Sequence, residues 1–385
     1  MAERASDASR KLLYITRSRI PSEQANAVQV LKMCAGFAAH TAVELVAPYY
    51  PADARQRETI WERYALARRF TVRWLAFPHW RDRFAVRGFA LTAAGYARAR
   101  GYQLAYTRDP WAAWWLARAG VHVGFEAHDL KEDRRYPVWG RLVGDPSIAP
   151  ALRGIFCISR SLADDYRAAG ARPEVLHVAP DGVDLQRFQN PREKVAARAA
   201  LGLAPDAVWV VHCGHLYPGR GAEELVEAAA ALPDVHVLFV GGKVADVERL
   251  RGVVSEKGLG ERIRFAGIVA NGEVPMYLWA ADILAMPYTS RTPTVRSMSP
   301  LKMFEYMAAG RPIVATDFPA IREILRNEEN AVLVAPDSAA ALAEGIRGLL
   351  SDSARAERIA QQARRDVEAY TWEERARKVL GILEQ

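Results

Sequence analysis

A chain of 385 residues, half of them hydrophobic and a quarter charged, has room for two domains of ordinary size and a large core. Its apolar runs fall short of the ~20 residues that span a bilayer, and Glu3, Arg4 and Asp7 interrupt any leader, so a cytoplasmic protein without a membrane anchor is expected. The net charge of +7 is uneven, with 27 Lys and Arg against 17 Asp and Glu in residues 1–180 and 25 against 28 beyond, yet no nucleic-acid-binding signature accompanies it, and Cys34, Cys157 and Cys213 are too scattered for a disulfide set or a zinc site.

Lys11 to Thr16 reads as a first strand and Gln24 to Ala39 as an amphipathic helix, with Ser22 as its N-cap. The loop between them, Arg17 to Glu23, has no glycine, so the G-x-G-x-x-G turn of a dinucleotide fold is missing. Residues 55–102 carry 11 Arg against Glu58, Glu62 and Asp82, interleaved with Trp61, Tyr64, Phe70, Trp74, Phe77, Trp80, Phe84 and Phe89. Basic and aromatic residues together suit an anionic membrane surface, although arginine-biased codon usage would give the same excess. Strand-like segments recur at 43–47, 72–76, 103–107, 122–127, 154–159 and 175–179 with helical stretches between, the alternation of a parallel α/β sheet. His128 follows the fourth of these, at a carboxyl end where such sheets bind ligands; it serves equally as a cap or core-edge residue. Pro180-Asp181-Gly182 is a turn by its own chemistry, and a domain boundary is placed near residue 184.

The second half opens with a strand at 208–213, then Gly214-His215-Leu216-Tyr217-Pro218-Gly219-Arg220-Gly221 and a helix at 222–231. The G-x-x-x-x-G spacing imitates an ATPase loop, but Arg220 and Gly221 replace the Lys and Ser/Thr that reach phosphate and magnesium. A strand at 235–241, a helix at 244–257, a strand at 264–267 and a segment at 280–288 follow. Ser299 then reads as the N-cap of a helix with Pro300 first inside it, Gly310 as its left-handed end, and the run to Ala315 as a buried strand. Such a helix start is a natural phosphate site, and Glu305, about 7 Å along the axis, is placed to take a sugar diol or to pair with Lys302.

The words SPLKMFEYMAAGRPIVAT (299–316) with Phe318 to Glu323 after them resemble the donor-site signature of family 4 retaining glycosyltransferases. The resemblance implies an α/β GT-B fold: two Rossmann-like domains facing across a cleft, residues 1–183 for the acceptor and 184–365 for the nucleotide-sugar donor, with 366–385 as a helix crossing back. It implies that Glu305 holds the nucleotide ribose and that Gly214, His215, Arg220, Ser299, Leu301 and Lys302 bind the nucleotide and its phosphates, His215 standing where the family has an arginine. His128 would face the donor sugar and, with Arg220 and Glu305, make up the catalytic set. Arg19, Ser22, Glu23 and Asn26 would contact the acceptor. Ser297 stands where the family has a second glutamate.

These resemblances imply a retaining transferase that needs neither metal nor cofactor and moves sugar from a UDP- or GDP-linked donor to a glycan or lipid-linked acceptor. Bacterial surface-glycan assembly, with peripheral contact to the inner face of the plasma membrane, is the expected setting. The alternatives are a nucleotide-sugar epimerase or phosphorylase on the same fold, or a non-catalytic basic binding protein.

Overall fold

The computed structural model describes residues 11–76 and 83–385, so Phe77, Trp80, Asp82 and the tail at 1–9 lie outside the described residues. The chain forms two compact units, one of Val183–Tyr370 and one of residues up to Gly182 joined by Thr371–Gln385. Residues 366–370, assigned from the sequence to the returning helix, finish the second unit instead.

The first unit holds seven parallel strands: β1 (Lys11–Ile15), β2 (Ala42–Pro48), β3 (Thr71–Leu75), β4 (Leu104–Thr107), β5 (His122–Ala127), β6 (Leu152–Cys157) and β7 (Leu176–Val178). They run in the order β3-β2-β1-β4-β5-β6-β7. Leu12, Leu13, Tyr14 and Ile15 are all buried, as a strand covered on both faces requires. The helix Ala25–Phe37 starts at Gln24, not Ser22, because the Ser22 backbone is committed to the Tyr64 hydroxyl through both its N–H and its carbonyl. The returning helix, Trp372–Leu383, is capped by Thr371 and packs on the helix Ala25–Phe37. A Cβ at Gly36 would stand 2.5 Å from the Trp372 carbonyl oxygen, so only glycine permits that approach.

The second unit holds β8 (Val208–Cys213), β9 (Val235–Val240), β10 (Ile263–Gly267), β11 (Ile283–Met286), β12 (Ile313–Thr316) and β13 (Val332–Val334), parallel and in the order β10-β9-β8-β11-β12-β13. The helix Leu301–Ala309 is capped by Pro300, with no side-chain cap bond, so Ser299 lies one position before the cap. Gly310 does end it in the left-handed conformation, φ 64°. Cys34, Cys157 and Cys213 are buried and unpaired with one another. Among the described residues no helix is long and apolar enough to cross a membrane, and no group of three His, Cys, Asp or Glu is placed to hold a metal.

Candidate active site

Each sheet reverses its strand order once, between β1 and β4 in the first unit and between β8 and β11 in the second. Ligands of open α/β sheets bind at the carboxyl ends beside such a reversal, and the chain has gathered its charged residues at both.

In the first unit the ends of β1, β4 and β5 surround a polar cavity of about 260 Å³ whose walls include Asn26, Arg108, Glu126, His128, Asp129 and Tyr136. Asp109 caps the helix Pro110–Arg118 by accepting from Ala112 N–H at 2.8 Å, and Arg17 donates to the same carboxylate and to the Tyr136 hydroxyl. The buried Oδ1 of Asn26 has no hydrogen-bond partner. His128 Nε2 lies 2.9 Å from Glu126 Oε1. Burial first, then the Arg108 charge, lower the His128 pKa to about 4, so the ring is neutral at pH 7. Burial would raise the Glu126 carboxyl, yet Arg375 and His128 hold it well below the usual carboxylate range.

Of the other residues expected at the acceptor, Arg19 is bound by both guanidinium arms to Asp53, at 2.8 and 2.6 Å. Glu23 is exposed and lies 3.8 Å from Arg63, and Ser22 is tied to Tyr64. Asn26 is the member of that set that lines the cavity.

In the second unit the loop 214–221 is drawn tight against 287–292. The Gly219 carbonyl accepts from Thr289 N–H, Thr289 Oγ1 and Thr292 Oγ1, and both threonines are buried. Gly221 has φ 83° and a Cβ there would lie 1.5 Å from the Pro287 carbonyl oxygen, so the loop closes only with glycine. Arg220 is held by aromatic faces: its guanidinium carbon lies 4.5 Å from the Tyr217 ring centroid and 5.3 Å from that of Tyr288, and it donates to the Tyr217 hydroxyl. Among the described residues no carboxylate forms an ion pair with it.

Lys302, the second residue of the helix Leu301–Ala309, extends beside Gly214, with Nζ 3.3 Å from His212 Nε2 and 5.3 Å from the Tyr288 ring centroid. Burial lowers its pKa to about 7, and the Arg220 charge adds to the shift. Among the described residues Lys302 forms no ion pair with Glu305, the pairing weighed from the sequence, although the Glu305 charge still acts on it. His215 is also lowered, by burial and then by Arg220 and Lys302, and so brings no charge at neutral pH. The Arg220 guanidinium and the Lys302 amine converge beside the Tyr288 ring at the β8–β11 reversal without a paired carboxylate among the described residues, an arrangement whose chemistry suits an anion.

Glu305 has a different partner. Its Oε1 accepts from Arg187 NH1 at 2.8 Å, and the two side chains are only 14% and 8% exposed. Arg187 sits in the short turn Leu185–Phe188, right after the crossing between units, where nothing in the local pattern marks it. Ser297 lies in the turn before the helix, its N–H donating to the Thr294 carbonyl at 3.0 Å.

Residues 27–187 match the family model described as Glycosyltransferase Family 4, and residues 207–352 match the one described as Glycosyl transferases group 1. The chain belongs to the family 4 glycosyltransferases. The family's GT-B fold is shared, for example, with the Anabaena HepE protein in complex with UDP and glucose (TM-score 0.76, 20% identity, 98% of this chain and 100% of that one). It is shared as well with WaaG, a glycosyltransferase involved in lipopolysaccharide biosynthesis (TM-score 0.67, 14% identity, 97% and 99%). Family relatives named D-inositol 3-phosphate glycosyltransferase include that of Xylanimonas cellulosilytica, 28% identical over 64% of this chain, and that of Rhodococcus opacus, 30% identical over 70%. The chain spans 60% and 63% of the lengths of these two relatives.

Proposed function

We propose that this family member transfers a sugar from a nucleoside diphosphate sugar to a hydroxyl group of an acceptor, with retention and without a metal. The observation that carries the reading is the meeting of Arg220 and Lys302 without a paired carboxylate at the β8–β11 reversal, with Glu305 within the same helix. A diphosphate satisfies both cations. Arg220, already oriented by Tyr217 and Tyr288, offers its planar fork to the leaving phosphates, and charge growing there as the glycosidic bond breaks is stabilised by donors that need no reorganisation. Glu305 keeps acceptor capacity beyond its bond to Arg187, enough for ribose hydroxyls.

In the first unit, neutral His128 and the Asn26 carboxamide provide hydrogen-bonding groups for sugar hydroxyls, and Arg19, Ser22 and Glu23 form the adjoining loop. Their assignment to the acceptor rests on the family resemblance. No carboxylate stands out as a nucleophile, so departure and attack on one face of the sugar is the route to retention proposed here. Solved neighbours that hold UDP and UDP-glucose favour a uridine donor. The acceptor is proposed to be a glycan or lipid-linked glycan of a bacterial surface. Exposed Arg55, Arg69, Arg98 and Arg100 would hold the protein to anionic lipid electrostatically. Tyr64 and Phe89 are buried and do not insert.

The test is turnover of UDP-glucose and GDP-sugars against a panel of glycan acceptors, with EDTA in parallel. Anomeric NMR of the product should show the donor's configuration, and EDTA should leave the rate unchanged. Absence of nucleotide diphosphate binding would refute the reading. A rate restored only by manganese would refute its metal-independent part. Sedimentation with anionic vesicles, reversed by salt, tests the membrane contact.

A further inference from the structure

Arg375 is nearly fully buried, although it lies on the returning helix, far in sequence from any residue the family resemblance singles out. All three of its nitrogens find partners within the first unit. Nε donates to the Pro180 and Ala179 carbonyls at 2.9 and 3.2 Å, one NH2 proton reaches Ala179 O at 3.1 Å, NH1 contacts the Met33 sulfur at 3.0 Å, and NH2 donates to Glu126 Oε1 at 3.0 Å. Glu126 collects the other polar groups around it: Gln29 Nε2 donates to it, Tyr14 OH lies 3.4 Å away, and His128 Nε2 is at 2.9 Å. A buried guanidinium is expensive unless matched, and here it is matched to the one carboxylate that touches His128.

We infer that Arg375 positions His128 through Glu126, so that the docked C-terminal helix fixes which ring nitrogen of His128 carries the proton and which faces the cavity. With Glu126 ionised, Nε2 keeps its proton and donates to Oε1, and Nδ1 is left as an acceptor for a sugar hydroxyl. Without the Arg375 charge, Glu126 keeps Arg108 as the remaining cation acting on it, and His128, already bonded to Oε1, is the neighbour able to add a charge by taking a proton. The charged and titratable groups that face the ring are Glu126, Arg108 and Arg375; the buried Asp181 carboxyl acts on all three of these, and Asp129, Glu132, Asp133 and Arg17 share the cavity of the ring. Both cations oppose protonation of the ring and Glu126 favours it. This role rests on the proposal that His128 faces the donor sugar, but its spectroscopic test does not.

The experiment follows the His128 imidazole nitrogens by long-range proton–nitrogen NMR from pH 4 to 8 in the full chain, in Arg375→Met, Arg375→Lys and Glu126→Gln, each first checked for cooperative melting. In the parent a single Nε2–H form should persist down to about pH 5. In Arg375→Met the midpoint should rise by at least one unit, and Arg375→Lys, which restores the charge, should return it most of the way. In Glu126→Gln the single Nε2–H form should give way to a mixture of tautomers. Should Arg375→Met fail to fold, Arg375→Lys and Glu126→Gln decide alone. On UDP-glucose, Arg375→Met should lose tenfold or more in kcat at pH 7 with the donor KM within about twofold, the signature of a group acting on chemistry rather than binding. His128 titrating identically in folded Arg375→Met, with Glu126→Gln keeping one tautomer, would overturn the inference. The NMR shifts appearing without any transferase activity would instead overturn the functional reading and leave the linkage standing.

Discussion

Replacing Glu305 by glutamine isolates its charge. An alanine there would also strand Arg187, a buried cation whose loss of partner costs about 3 to 5 kcal/mol of stability and would confuse binding with folding. Glutamine keeps the shape and one acceptor for the Arg187 N–H at 2.8 Å. What disappears is the charge that strengthens hydrogen bonds from ribose hydroxyls, each about 1.5 to 3 kcal/mol when the acceptor is ionised. One such bond lost or weakened to the neutral range raises the Kd for UDP by about tenfold to about a hundredfold. Titration calorimetry with UDP, UMP and uridine reads it: all three carry the ribose and should weaken together, whereas a phosphate contact would spare uridine. Unchanged UDP affinity in a Glu305→Gln protein whose melting temperature has fallen would refute the ribose assignment and leave Glu305 as the structural partner of Arg187.

The Lys302 pKa of about 7 sets a pH dependence. A bound diphosphate favours the charged ammonium and raises that pKa, so UDP binding takes up a proton near neutrality and tightens as pH falls from 8 to about 6.5, with Lys302→Met abolishing the uptake; calorimetry in buffers of different ionisation enthalpy that shows no proton uptake would sink the idea. The same residue affects stability, because the unfolded chain binds this proton up to about pH 10 and the native one only to about 7, so its contribution to stability rises with pH across that window. Gly221→Ala should cost 2 kcal/mol or about that in chemical denaturation, since its Cβ meets the Pro287 carbonyl and its φ is positive, and should weaken UDP through the displaced loop. A Gly221→Ala protein of parental stability would show that the loop moves freely.

Strand positions and the end of the helix before Gly310 were legible because they follow from local pattern: buried runs such as Leu12–Ile15 and Val208–Cys213 read as strands covered on both faces, and Gly310 marks a helix end by its missing Cβ. The caps were less so. Ser299 and Ser22 have good capping chemistry, but the backbone conformation that makes a cap fell to Pro300 and Gln24, and only the Tyr64 hydroxyl, 42 residues away, explains the second case. The site divides in the same way. Arg220 and Lys302 lie in recognisable words, whereas Arg187 with Glu305 and Arg375 with Glu126 are pairs separated by 118 and 249 residues, and no spacing rule joins them. These pairs are set by how a turn or the returning helix packs against a distant element, a property of the tertiary fold and not of the neighbouring sequence.

The first unit is discontinuous: its sheet is made before Gly182, while the helix carrying Arg375 is made only after Val183–Tyr370 has emerged. During synthesis, at roughly 5 to 20 residues per second, the strands of the first unit therefore wait about 10 to 40 seconds, while Val183–Tyr370 is made, before they receive that helix. Until then the face of the helix Ala25–Phe37 around Gly36 is uncovered and Glu126 lacks its bond from Arg375. A chain cut before Thr371 would thus carry the whole of Val183–Tyr370 and a first unit without its covering helix, an exposed apolar surface of the kind that chaperones and proteases recognise.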